Sequence, residues 1–458
     1  MLFEIPLLPQ LSGRRTFRRG VHPPEGKHWS AEKPVEVLPA PKSILLPLHQ
    51  HTGAPATPVV KPRTELAVGT LVGRIPEGKL SANVHSSVAG KAQAVTAVTL
   101  PNGRRSLAVP VAVAGETEED LWGELFGGEW PLEVPPEWTP DQIVETVREA
   151  GIVGLGGAAF PTHVKLQPPP SKPISTVLLN GSECEPFLTA DYRLMVEAPR
   201  AVVAGLRLAM RAVQAERGVV AIEDNKPRAV EAVRAAAANL PDVEVVVCQT
   251  KYPMGGERQL IPAVFGKEVP TGGLPLDTGV LVMNVATAAA VAAAVYRNRP
   301  LTHRIVSVSG PGIHEPKNLL VPIGTPLSVL LEHCGGLKDE ACRVIAGGPM
   351  MGFSVVDLNS PVTKATGGLT VLTREEVDRA EQTVCVRCGR CVDVCPLGLA
   401  PTKIAHAAKV GDLETAKRWD LLACMECGCC AYECPARIPL VQYIRAGKAA
   451  ARRLAPTR

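Results

Sequence analysis

Nine of the thirteen cysteines in this chain fall between Cys385 and Cys434, and eight of those nine repeat one pattern. Cys385-x2-Cys388-x2-Cys391-x3-Cys395-Pro396 is followed, after 28 intervening residues, by Cys424-x2-Cys427-x2-Cys430-x3-Cys434-Pro435. Three thiolates at two-residue intervals curl round three corners of an iron–sulfur cubane. The fourth cysteine, followed by proline, turns away and ligates the other cluster. The spacing therefore assigns Cys385, Cys388, Cys391 and Cys434 to one [4Fe–4S] cluster and Cys424, Cys427, Cys430 and Cys395 to a second. Structural zinc needs neither four cysteines per run nor the closing Cys-Pro twice. Cys429 reads as a small buried apolar filler beside a ligand. The other four cysteines (Cys184, Cys248, Cys334, Cys342) are scattered, unlike the disulfide framework of a small secreted domain. Two linked clusters do no bond chemistry of their own. They carry single electrons.

At 458 residues the chain exceeds one hydrophobic core, so several domains are expected. Apolar residues at 46% and charged residues at 21% are those of a globular protein. A net charge of +4 with 4% aromatic residues argues against nucleic acid as a partner. The N-terminus has no secretory pattern. Gly279 to Tyr296 is uncharged over the minimum length of a membrane span. It is mostly alanine, however, and divides around Asn284 into a strand-like Val280–Val285 and a helix-like Thr287–Tyr296. A buried strand–helix unit is the expectation, in a chain that stays soluble when alone.

The pattern divides the chain into a basic, proline-punctuated arm (1–40), a β module (41–115), an acidic linker (116–140), an α/β domain (141–300), a small α+β domain (301–372) and a helical cluster domain (373–458). In the β module Ile44–Leu48, Leu71–Ile75, Gly90–Leu100 and Ser106–Val113 read as strands, with a hairpin at Asn102-Gly103. A small barrel or sandwich fits. The α/β domain alternates helices (Pro140–Ala150, Pro199–Val213, Lys226–Leu240) with apolar strands (Thr176–Leu179, Val219–Ile222, Val243–Cys248), which implies a largely parallel sheet.

Single-electron carriers need a source or sink. Gly154-Leu155-Gly156-Gly157-Ala158-Ala159-Phe160-Pro161 is a glycine-rich stretch of the kind that lets backbone amides approach a phosphate or flat ring. Lys165 follows with a cation. Asn180, Glu183 and Glu185 lie just beyond a strand, where open α/β sheets bind ligands, and Asn284 ends another. Taken alone, each could be a plain turn or a solvated side chain. If Asn180–Pro186 stays extended, Glu183 and Glu185 share a face and need a partner to relieve their repulsion.

Together these residues carry a resemblance. Gly154–Leu166, Asn180–Pro186 and Tyr252–Glu257, followed by twin cysteine runs, resemble the RnfC family of the Rnf/Rsx-type electron transport complexes. Gly20-Val21-His22-Pro23-Pro24 and Gln50-His51-Thr52-Gly53-Ala54-Pro55 are similar to it as well, and the likeness covers nearly the whole chain. The middle region is also similar to the NADH-binding flavoprotein subunit of respiratory complex I, which differs at Leu155 (arginine), Ala159 (glycine) and Gly256 (glutamate). The resemblance implies a multidomain α/β architecture: an N-terminal barrel-sandwich module, a Rossmann-like domain holding FMN with NADH stacked over it, a β-grasp domain and the cluster domain. It implies that Gly154, Gly156, Gly157, Ala158 and Phe160 shape a flavin loop and that Lys165 and Asn284 hold the phosphate end. Asn180, Glu183 and Glu185 would face the ring or nicotinamide, the two glutamates in a catalytic role. The implied activity is electron transfer between NAD(H) and ferredoxin or other members of the complex, coupled to ion translocation, by a peripheral subunit on the cytoplasmic face of the membrane. Flavin takes both electrons of a hydride and releases them singly, as clusters require. The alternative is a soluble flavin/iron–sulfur NADH-dependent reductase similar to cobalamin reductase.

Overall fold

A computed structural model describes residues 15–115, 119–377 and 381–454. The first fourteen residues of the expected arm, the start of the expected linker and the last four residues of the C-terminal segment lie outside the described residues.

Residues 43–113 form two small facing sheets. One has the order Ser43–Pro47, Arg105–Val113, Gly90–Ala92, Glu65–Leu66, and the other Thr57–Pro58, Leu71–Arg74, Val84–His85. Ile44, Leu46, Val72, Val84, Val109 and Val111 fill the space between them. The single strand expected over Gly90–Leu100 is two. Gly90–Ala92 and Thr96–Thr99 both pair with Arg105–Val113, and three residues bulge out opposite Val109 and Pro110. Pro110 has no N–H to offer, so the ladder breaks there. The Asn102-Gly103 hairpin joins Thr96–Thr99 to Arg105–Val113, with Gly103 at φ 78°.

Four parallel strands form the central sheet in the order Val243–Cys248, Arg217–Glu223, Thr176–Gly181, Val280–Asn284. Chain direction across the sheet reverses between the last two, which pair with Asn180 opposite Asn284. That reversal opens the ligand crevice at the carboxyl ends of doubly wound sheets. The uncharged Gly279–Tyr296 stretch is the strand Val280–Asn284 followed by the helix Val285–Arg297. Its alanines serve close packing: Gly205 of the helix Pro199–Val213 abuts Ala288 so tightly that a Cβ would collide with the Ala288 carbonyl. Among the described residues no helix is long and apolar enough to cross a membrane.

The third sheet has the order Val35–Val37, Lys317–Pro322, His303–Ser309, Gly368–Thr373, Ala341–Ala346, Phe353–Ser354. Its first strand comes from the N-terminal arm. The arm also pairs through Arg15 with Cys248 and through Val21 with Tyr252 of the parallel-sheet domain.

The acidic, proline-rich segment read as a linker is packed instead. Leu121–Leu125 is helical with Asp120 as its cap, Trp130 is 3% exposed, and the Arg297 guanidinium stacks 3.8 Å from the Trp130 ring centroid. Composition misled because four buried apolar residues, Leu121, Leu125, Phe126 and Trp130, suffice to anchor it in the main core.

Candidate functional site

The helix Pro140–Glu149 begins with a capping box between Thr139 and Gln142 and ends at Gly151, φ 65°. The glycine loop follows. Its neck is closed by Gly154 N donating to Phe160 O (2.9 Å) and Thr162 N donating to Ile152 O (3.0 Å). Leu155 turns inward: its N–H donates to Thr287 Oγ1 at 2.9 Å and its carbonyl accepts from Arg304 at 3.0 Å. Among the described residues, none of the five amides from Gly156 to Phe160 donates to another group of the chain. A Cβ on Gly157 would meet nothing within 4 Å, whereas one on Gly156 would press on Asn284 at 2.9 Å. Asn284 caps the helix Val285–Arg297, its Oδ1 accepting from Ala286 and Thr287. Amides without a partner among the described residues, open space over Gly157 and the positive end of that helix beside Gly156 fit a phosphate-bearing flat cofactor.

Asn180 and Asn284 meet at the carboxyl ends of adjacent strands, as the crevice requires. Asn180 Nδ2 donates to Gly255 O (2.8 Å), joining the crevice to the Tyr252–Glu257 turn. Asn284 Nδ2 donates to Asp191 (2.6 Å). Lys165 pairs with Glu257 at 2.9 Å, on a partly exposed rim.

The two glutamates do not share a face. Glu183 adopts φ 45°, so the segment is not extended and the alternation argument fails. Its carboxylate accepts from Asp191 N (2.7 Å) and Tyr192 N (3.1 Å), the first amides of the helix Ala190–Glu197. Glu185 reaches the other way and accepts from Met350 N (3.1 Å) and Met351 N (2.8 Å). Burial pushes its carboxyl up to about 7 against the pull of those two amides. Backbone amides thus meet both carboxylates and separate them. Lys27, from the arm, ties the turn together by donating to the carbonyls of Glu183 (2.7 Å), Glu185 (3.0 Å) and Leu188 (2.7 Å).

The two cysteine runs have the same backbone. Left-handed conformations recur at Arg387 and Glu426, Gly389 and Gly428, and Gly398 and Arg437, each pair at the same offset as the cysteines. Cys395, Cys424, Cys427 and Cys430 line one small hollow, walled by Pro396, Leu399, Ile404 and Ile444. Cys391 has Cys434 and Cys388 as its neighbouring thiols. No group of three or more His, Cys, Asp or Glu among the described residues could hold a single metal ion. Thiols alone, spread around an apolar hollow, fit a cluster that stands its ligands off from its centre. Cys429 lines the same hollow and is fully buried.

The Cys395/Cys424/Cys427/Cys430 group lies against the parallel-sheet domain, while Cys385 and Cys388 are exposed. Tyr252, 2% exposed, donates its hydroxyl to Cys427 O at 2.7 Å, with the Glu185 carboxyl close by. Met425 packs against Gly256, and the Met350 carbonyl against Gly428. The arm motif around Gly20 braces this joint: Val21 pairs with Tyr252 in both directions, and Gly20 N donates to Val394 O at 3.1 Å. Lys448 of the C-terminal helix Leu440–Leu454 also reaches this cluster group. It is buried and donates to Cys424 O at 2.7 Å. We expect Tyr252→Phe to lower the potential of the adjoining cluster by ~40 mV, since one net hydrogen bond of about 1 kcal/mol is lost and 59 mV corresponds to tenfold for one electron. Redox titration followed by electron paramagnetic resonance checks this, with flavin content unchanged.

A glycine cradle in a doubly wound crevice, joined to a paired-cysteine domain, defines a flavin iron–sulfur protein. The Nuo51 FMN-binding domain family matches residues 147–293, the RnfC barrel sandwich hybrid domain 15–116, the SLBB domain 305–354 and the 4Fe-4S dicluster domain 378–435. FMN and two [4Fe–4S] clusters are its cofactors. The chain is 43% identical to the C-subunit of the proton-translocating ferredoxin:NAD(+) oxidoreductase complex of Clostridium ljungdahlii, over 94% of this chain and 93% of that one. It is 43% identical to the Na(+)-translocating counterpart of Acetobacterium woodii over 85% and 87%. The same identity, over 94% and 82%, relates it to the C-subunit of the ion-translocating oxidoreductase complex of Rhodobacter capsulatus. The chain belongs to the RnfC family.

Lys27, Thr287, Arg304 and Lys448 escaped the motif reading because each acts on backbone far away in sequence. Tyr252 sits inside a recognised turn, yet nothing local signals that its hydroxyl reaches Cys427.

Proposed function

We propose that this chain passes electrons between NAD(H) and the other subunits of an Rnf-type ion-translocating complex, as a peripheral subunit on the cytoplasmic face of the membrane. FMN, when bound, interconverts two-electron and one-electron transfer. The protein's part is to seat and space the carriers. Gly154, Gly156, Gly157, Ala158 and Phe160 form the seat, and Asn180 and Asn284 floor the crevice. Lys165 exchanges Glu257 for the cofactor phosphate. Cys395, Cys424, Cys427 and Cys430 hold the cluster nearest the flavin; Cys385, Cys388, Cys391 and Cys434 hold the one nearer the surface. The observation that carries this reading is the Tyr252–Cys427 joint, which, with Asn180 held to Gly255 of the same turn, binds the crevice and the first cluster group into one packed unit. The relatives' names favour membership of a complex over a free-standing reductase.

Glu183 and Glu185 act here by shaping the nicotinamide side of the crevice, not by transferring protons. Glu185→Gln can accept from only one of the Met350 and Met351 amides. It should slow NADH-dependent flavin reduction roughly tenfold, about 1.4 kcal/mol for one weakened charge-assisted bond, while dithionite reduces the clusters as in the parent. Anaerobic stopped-flow spectrophotometry at flavin and cluster wavelengths reads both. Unchanged flavin reduction by NADH would remove Glu185 from the site.

A further inference from the structure

The Gln50–Pro55 segment belongs to the N-terminal β module, yet it touches the glycine loop directly. Thr52 Oγ1 donates to Ala158 O at 2.7 Å, and Thr52 N donates to Ala159 O at 3.1 Å. The segment that carries Thr52 is itself anchored. Ala54 N donates to Leu80 O (2.7 Å), and His51 Nε2 lies 2.9 Å from both Ala54 O and Ser81 Oγ. A carbonyl can only accept, so His51 carries its proton on Nε2, and burial pushes its pKa down to about 4, keeping the ring neutral. Gly53 sits at φ 114° with the Leu80 carbonyl where a Cβ would be, so no other residue makes this turn without displacing Thr52. Gln50 Oε1 accepts from Lys364 N, and Lys364 Nζ donates to Gly151 O at 2.7 Å, just ahead of the loop.

The geometry points to Thr52 as a positioning residue of the flavin site: by holding the Ala158 and Ala159 carbonyls, it aims the following amides at the cofactor. In a trans peptide the C=O of one residue and the N–H of the next point to opposite sides. Fixing Ala158 O on Thr52 therefore turns Ala159 N–H away from the β module, and fixing Ala159 O does the same for Phe160 N–H. Both belong to the five amides without a partner in the chain among the described residues. The second bond also holds Ala159 in a left-handed conformation (φ 50°) that an alanine rarely adopts. The N-terminal module thus completes a site whose residues otherwise come from the parallel-sheet domain. This rests on the glycine loop being the seat of FMN.

The test compares Thr52→Val, which keeps the side-chain shape and loses the hydroxyl, with Thr52→Ser, which keeps the hydroxyl. The full-length, cluster-containing protein is stripped of flavin and titrated with FMN, following quenching of flavin fluorescence. Thr52→Val should weaken FMN binding about fivefold to tenfold, as loss of one hydrogen bond predicts, and Thr52→Ser should restore it to within about twofold. Thr52 is solvent-exposed, so the melting temperature of the flavin-free protein should not move. FMN affinity unchanged in Thr52→Val but lost in Gly157→Val would overturn the role of Thr52 and leave the loop as the seat. Affinity unchanged in both would overturn the loop itself. Equal loss in Thr52→Val and Thr52→Ser would show that the hydroxyl is not the operative group and overturn the inference.

Discussion

Cys395→Ser and Cys434→Ser are each expected to lower the iron content of anaerobically purified protein from about eight atoms per chain to about four or fewer. Each cysteine lies in one run of the sequence and beside the other run in space. Cys395 shares its hollow with Cys424, Cys427 and Cys430, while Cys434 is a neighbour of Cys391. Two features bring about the exchange. The one-turn helices Arg390–Asp393 and Cys429–Tyr432 carry the fourth cysteine away from its own run, and the matching left-handed residues before them give both runs the same curl. Because the two groups share helices, loss of one cluster loosens the scaffold of the other. Iron and acid-labile sulfide assays, with visible absorbance, read the result. Cys429→Ser is the control. Its thiol is in the same hollow but outside the repeated spacing, and it should keep about eight irons. A Cys395→Ser protein that retained both clusters would show that Cys395 is not a cluster ligand.

Gly157→Val should abolish retention of FMN, weakening binding by at least about 100-fold, or ~3 kcal/mol at 1.4 kcal/mol per tenfold. Glycine is required at Gly156 by the protein itself, since a Cβ would strike Asn284. At Gly157 nothing of the chain is within 4 Å, so a valine there costs the folded protein little. Its methyl groups would stand where the cofactor must lie against the amides. Gly157→Val therefore separates flavin binding from folding, whereas Gly156→Val confounds the two. Denaturation followed by quantitation of released FMN measures the loss, and iron content should remain at about eight atoms. Full flavin in this variant would make the loop a plain turn.

How much of this was legible beforehand follows from how far each interaction reaches along the chain. A cubane takes three ligands from a short arc, so Cys385–Cys391 and Cys424–Cys430 announce it through spacing alone. The glycine loop is likewise local, because backbone approach to a ligand needs missing Cβ atoms in one stretch. Strand and helix periodicity also placed Pro199–Val213 and Val243–Cys248 at their observed bounds. The strand over Gly90–Leu100 failed on a single cross-strand partner, Pro110, whose missing N–H is invisible from the segment it interrupts.

The jobs of charged side chains were not legible, because a buried charge is defined by its partners and those are distant. Lys27 clamps carbonyls more than 150 positions away, Arg304 supports Leu155 from 149 positions away, and Lys364 reaches Gly151 across 213. Glu183 and Glu185 are neighbours in sequence, but the left-handed turn at Glu183 sends one to a helix start and the other to the Met350 loop. Sequence by itself determined the two [4Fe–4S] clusters, since their ligands obey short-range spacing set by bond lengths, whereas FMN was implied only by the family resemblance. Only the tertiary structure decided how the domains share the site, with Thr52 and Arg304 supporting the glycine loop and Tyr252 meeting Cys427, because those contacts come from packing separate units whose meeting faces no local pattern encodes.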